Sequence, residues 1–91
     1  MSTVDRINEL RSEAESAIAS AADAAALEEL RIRYLGRKSE LTQILRGIAE
    51  LPASERGPVG SGANQARAAL EGLLTSRAAE LEGAELDRRL A

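Results

Sequence analysis

Residues Leu27 to Leu51 read LEELRIRYLGRKSELTQILRGIAEL, and the spacing of their apolar side chains decides the fold. Leu27, Leu30, Tyr34, Arg37, Leu41, Ile44, Ile48 and Leu51 recur at alternating steps of three and four. That is the seam of a coiled coil with one polar position. The seam keeps its phase through Gly36, so the spacing predicts one helix over about 24–51. An interior glycine costs about 0.5–1 kcal/mol relative to alanine, which predicts a kink there and no break. Pro52 disfavours helical geometry in the residue before it and ends the helix at Leu51.

Beyond this stretch, Pro52, Gly57, Pro58, Gly60 and Gly62 crowd residues 52–62 and predict a turn there. Ser54 and Glu55 read as a cap and first helical turn, so a last helix is expected over about 54–90, weak in its first turns. Ala63, Ala66, Leu70, Leu73, Leu74, Arg77, Leu81 and Ala84 lie on one side of it. A short connection makes the two helices antiparallel neighbours. The expected register sets Ile48 on Ala63, Ile44 or Leu45 on Ala66, Leu41 on Leu70, Leu30 on Leu81 and Leu27 on Ala84. It also brings Arg37 towards Leu73 and Leu74, and Tyr34 beside Arg77. The rod should be about 40 Å long at 1.5 Å per residue. Upstream, Val4, Ile7, Leu10, Ala14, Ile18 and Ala21 form another stripe, which predicts a first helix over about 2–21, capped by Ser2 or Thr3. A corner follows near Ala21, and Asp23 is a fresh N-cap. This first helix is expected to fold back on the open end of the rod. The expected architecture is thus all-α, a single domain over 1–91 built on a long antiparallel coiled-coil hairpin with a short N-terminal helix.

Composition agrees. Ala, Leu, Glu and Arg favour helix, and Tyr34 is the sole aromatic. A core of 91 residues without Phe or Trp must pack along narrow helix seams. There is no cysteine and no histidine, which excludes disulfides, thiolate metal sites and histidine bases. No apolar run approaches the ~20 residues that span a bilayer, and the N-terminus lacks a signal-peptide layout. A soluble cytoplasmic protein is expected. Gly57, Gly60 and Gly62 have neither the strand nor the Lys-Ser/Thr of a phosphate loop. No catalytic, cofactor-binding or metal-binding residue is expected.

Net charge is −3, yet residues 31–46 hold Arg31, Arg33, Arg37, Lys38 and Arg46 against Glu40 alone. The chain on either side is acidic, including Glu80, Glu82, Glu85 and Asp87 near its end. A local basic patch on an acidic rod can bind a polyanion in one orientation.

The block Arg33-Tyr34-Leu35-Gly36-Arg37-Lys38-Ser39-Glu40-Leu41-Thr42 resembles the Tyr-Leu-Gly-Lys/Arg-Lys-Gly-x-Leu-Thr block of bacterial phenylalanine–tRNA ligase alpha subunits. The stretch Asp23–Leu30, then Leu51-Pro52, Glu55-Arg56, Gly60 and Asn64, is also similar to that family. Ser39 stands where the family usually has glycine, and Gly57-Pro58 is unusual in the turn. The resemblance implies the N-terminal arm of the alpha subunit, a coiled coil that reaches the tRNA body and positions tRNA(Phe) for a distant active site. It implies an (αβ)₂ enzyme with a beta subunit, using ATP and Mg²⁺. The class II catalytic domain would follow the arm, so the chain is expected to be a piece cut after it. A basic rod without exposed aromatics suits phosphate and shape recognition better than base stacking. The candidate tRNA contacts are Arg31, Arg33, Arg37, Lys38 and Arg46, with Arg56 at the tip and Arg67 and Arg77 across the hairpin. Tyr34 is expected to pack. The alternative is a structural hairpin that self-associates or docks on another protein.

Overall fold

A computed structural model describes residues 2–90, and the side chains of all of these except 85 and 87–90. Four helices follow one another: α1 (Thr3–Ser20), α2 (Ala24–Leu35), α3 (Glu40–Arg46) and α4 (Ala53–Leu90), with a single 3₁₀ turn (Ile48–Glu50) between α3 and α4. The all-α expectation holds. The molecule is a rod of 58 × 18 × 18 Å. That exceeds the expected length because α4 alone has 38 residues, about 57 Å at 1.5 Å per residue.

Helix α1 begins with a capping box. The Ser2 hydroxyl accepts from the Asp5 amide at 3.1 Å, and the Asp5 carboxylate accepts from the Ser2 amide at 3.3 Å, which satisfies two amides at the helix start. The predicted stripe is the buried one: Ile7, Leu10, Ala14, Ile18 and Ala21 are all inside. After the corner, the Asp23 carboxylate accepts from Ala26 N at 2.8 Å and caps α2 as expected.

The long second helix is not continuous. It breaks at Gly36–Ser39, and α3 starts afresh with Ser39 as its N-cap. Gly36 leaves the helix in extended geometry. A side chain on Gly36 would press into the Ile32 carbonyl oxygen, so a residue with a Cβ could not occupy this exit without backbone movement. The seam keeps its phase across the gap because the four residues of the break take the place of roughly one turn. That is why a continuous helix and a broken one look alike in spacing.

The expected turn over 52–62 is also shorter than its composition implies. Leu51 and Pro52 alone separate the 3₁₀ turn from α4, and Gly57, Pro58, Gly60 and Gly62 are helical. Pro58 lacks an amide and removes one bond near the helix start. Packing offsets that loss. Val59 is fully buried, Gly60 lies so close to Ile48 that a Cβ would sit 2.9 Å from its Cδ1, and Gly62 faces Ile7. Small residues here let α4 approach its neighbours.

Helices α2 and α3 run antiparallel to α4, as expected, but in another register. Leu35 shares a groove with Arg67, and Ala24 and Leu27 share one with Leu74 and Ala78. The break shortens the descending arm of the hairpin, so Leu27 lies beside Leu74 and not Ala84. The first helix does more than close the open end. It runs alongside α4 from Ile7 at Gly62 to Ala21 at Arg77, and its buried residues join Val59, Ala63, Ala66, Leu70, Leu41 and Tyr34 in one core. Three helical layers, not two, enclose that core.

Candidate nucleic-acid interface

The eight predicted cations divide by what already holds them. Arg31 sits on α2 beside Glu28. Its Nε donates to Glu28 at 3.0 Å and its Nη2 reaches the other carboxylate oxygen, and this pairing holds the Glu28 carboxyl below the usual carboxylate range. Arg77 donates from Nε at 3.2 Å and Nη2 at 2.8 Å to the Ala21 carbonyl oxygen, and from Nη1 to Glu80 at 2.9 Å. It does not stack on Tyr34 as expected. Helix α1 has no basic residue in its last turn, and its terminal carbonyls attract a cation from α4 instead. Arg56 clasps the turn, donating to Leu51 O and Ala49 O, both at 2.9 Å.

The remaining five make no ion pair among the described residues. Arg33 lies over the Tyr34 ring, 5.6 Å from its centroid, in the partnership expected of Arg77. Tyr34 itself is buried, as expected of a packing residue. Arg37 and Lys38 are exposed at the Gly36–Ser39 break, Arg46 is exposed at the end of α3, and Arg67 is half-buried on α4. Arg31 and Arg67 line one groove of about 400 Å³ with Leu35, Glu71, Leu74 and Thr75. Arg33 lines a different hollow with Arg6, Glu13 and Glu40. The candidates therefore do not form one cluster.

Two features escaped sequence reasoning. Arg6 on α1 donates to Glu40 on α3, with Nη2 to Oε1 at 2.8 Å and a second contact from Nε, and to Glu9 at 3.1 Å. These bonds raise the Arg6 pKa and hold the Glu40 carboxyl below its usual range. No local pattern announces a pair 34 residues apart. The second is a hydroxyl relay beneath Arg37 and Lys38. Ser39 Oγ accepts from Thr42 N at 3.3 Å and donates to Thr42 Oγ1 at 2.9 Å, and Thr42 Oγ1 donates to Gly36 O at 2.8 Å. A Gly followed three residues later by Ser, with Thr three beyond that, was the available signal for a stop and a new cap.

Residues 22–90 match the family described as the N-terminal domain of class II aminoacyl-tRNA synthetases. The chain belongs to that family. Its similarity to individual members is high. It is 48% identical over 88 residues to the phenylalanine–tRNA ligase alpha subunit of Symbiobacterium thermophilum, covering 96% of this chain and 26% of that protein. The alpha subunit of Chromohalobacter salexigens is 44% identical over 88 residues, covering 97% and 26%. That of Geobacillus kaustophilus is 40% identical over 87 residues, covering 96% and 25%. The chain thus spans about a quarter of the length of the curated relatives it matches. Among the described residues of this synthetase-family domain, no helix is long and apolar enough to cross a membrane. No His, Cys, Asp or Glu cluster there could hold a metal, and Gly57, Gly60 and Gly62 lie within a helix.

Proposed function

We propose that this domain is the tRNA-binding arm of a phenylalanine–tRNA ligase alpha subunit, and that it orients tRNA(Phe) for aminoacylation elsewhere in an (αβ)₂ enzyme. ATP and Mg²⁺ then act at the catalytic domain, and the enzyme works in the cytoplasm. One observation carries the reading: in a chain of net charge −3, Arg37 and Lys38 stand exposed at a helix break without a carboxylate partner among the described residues. An arginine already matched by a carboxylate gains little from a phosphate, whereas an unmatched one releases counterions on contact. Arg33, Arg46 and Arg67 rank next for the same reason. Arg31, Arg56 and Arg77 rank last, since each already has a partner.

Titration of the chain with tRNA(Phe) across a salt series tests this. The logarithm of the association constant should fall against the logarithm of salt by about 0.7–0.9 per phosphate contacted. Replacing Arg37 and Lys38 together by alanine should reduce that slope by about one to two. Equal affinity for tRNA and for polyglutamate would end the reading.

A second reading, self-association, is favoured by one feature. Ile32 on α2 is 58% exposed, four residues after Glu28 and therefore on the same helix face as that edge of the α2–α4 groove. Sedimentation across a concentration series separates the two: a monomer at all concentrations discards self-association.

A further inference from the structure

We infer that Thr42, with Ser39, is a positioning residue that holds the Arg37–Lys38 turn ready for phosphate. The inference rests on the tRNA reading above and adds residues that bear no charge. Ser39 is 4% exposed, so its hydroxyl has little water to bond and must be satisfied within the protein. Its partners are the amide and hydroxyl of Thr42, and the Thr42 hydroxyl passes the chain of bonds on to Gly36 O. Gly36 O also accepts from Ser39 N at 3.0 Å. The two carbonyl bonds tie the residue before Arg37 to Ser39, the N-cap of α3, and to Thr42 in its first turn. Gln43 Nε2 reaches Lys38 O at 3.5 Å, a long contact that adds little.

The backbone of Arg37 and Lys38 is thereby pinned on both sides while their side chains remain exposed. A loop that is ordered before binding loses less conformational freedom when it meets the ligand. Two cations on a pre-set turn therefore bind phosphate more tightly than the same two on a fraying helix end. Neither hydroxyl needs to touch RNA for this to hold.

The test compares the chain with Thr42→Val, Thr42→Ser and Arg37→Ala/Lys38→Ala variants, and with Thr42→Val in the double-alanine background. Each is titrated with tRNA(Phe) at low and moderate salt, and amide exchange is followed at residues 37–39. Thr42→Val keeps the side-chain shape and removes the hydroxyl. It breaks the bonds of that hydroxyl to Ser39 and to Gly36 O, and should weaken tRNA binding about fivefold and speed exchange in the turn. Thr42→Ser should restore both. In the double-alanine background, Thr42→Val should weaken binding no further, because the cations it positions are gone. An equal loss in both backgrounds, or unchanged binding by Thr42→Val beside a clear loss for the double alanine, overturns the positioning role and leaves the tRNA reading standing. Unchanged affinity in the double-alanine variant overturns the role of the turn itself and the positioning role with it.

Discussion

Gly36 joins two helices that spacing alone would merge, and its replacement exposes the difference. In a continuous helix, Gly36→Ala would stabilise the chain by about 0.5–1 kcal/mol. Here the new methyl group would press into the Ile32 carbonyl oxygen, a backbone atom that cannot swing aside. The expected outcome is destabilisation of about 1–3 kcal/mol, typical of overpacking, read as a lower urea midpoint. A raised midpoint would mean that α2 and α3 run on as one helix. Glu40 supplies a second expectation. The Arg6 guanidinium holds its carboxyl below the ordinary value of 4.5, so the unfolded chain takes up this proton at higher pH than the folded one. The ion pair's contribution is complete above that ordinary value and is lost as pH falls through the lower, folded one. Stability should therefore decline on acidification, and Glu40→Gln should flatten part of the decline. Both side chains are substantially exposed, so the effect is small. Urea midpoints measured from about pH 6 down to pH 2 check it; parallel acid limbs in the two proteins would show that the pair contributes nothing.

Helix α4 carries glycines of two kinds. Gly60 and Gly62 face Ile48 and Ile7, whereas a Cβ at Gly57 or Gly72 would meet nothing within 4 Å. Gly72→Ala should stabilise the protein by about 0.5–1 kcal/mol, the helix-propensity difference, as seen in thermal or urea unfolding, whereas Gly57→Ala should gain less because Pro58 follows it and disfavours helical geometry in a preceding residue that carries a Cβ. The clamp on α1 belongs to the same helix. Arg77→Ala removes two bonds to Ala21 O from a side chain that is 28% exposed. It should cost about 1–2 kcal/mol, at the lower end for charge-assisted bonds because water still reaches the group. Faster amide exchange confined to the last turn of α1 would confirm it. These elements also mark what could be read in advance. The α1 stripe, its cap at Ser2, the Asp23 cap and the antiparallel sense of α2–α3 against α4 all follow from local spacing and capping chemistry. The break at Gly36, the helical state of Gly57–Gly62 and the register do not. Each depends on how closely another helix approaches, which propensity does not encode. Among the cations, clustering in sequence brought attention to residues 31–46. Which of them stay unpaired was illegible, because Arg77, Arg56 and Arg6 find partners that only the packed bundle supplies.

The family match begins at residue 22 and so leaves out α1, yet the core does not. Ile7, Leu10, Ala14 and Ile18 are buried, and Ala63, Ala66 and Leu70 are sealed in the same cluster. Burying a large aliphatic side chain contributes about 1.5–3 kcal/mol, so Ile7, Leu10 and Ile18 together contribute roughly 5–9 kcal/mol. A whole domain retains only about 5–15 kcal/mol. With α1 gone, small residues such as Ala63 and Ala66 would face water along the seam of α4, and the remaining three helices have no Phe or Trp to replace what was lost. Residues 22–90 expressed alone should therefore lose cooperative unfolding, or pair with a second copy to cover the bared seam. Circular dichroism melts together with sedimentation equilibrium distinguish these from the intact chain. A sharp, monomeric transition within a few degrees of that of residues 1–91 would show that the α2–α4 hairpin is self-sufficient and that α1 is an accessory strap. The opposite result would make α1 a structural member of the rod, fixed at one end by Arg6 to Glu40 and at the other by Arg77 to Ala21. The stiffness that holds Arg37 and Lys38 in place on the rod would then depend on all three layers.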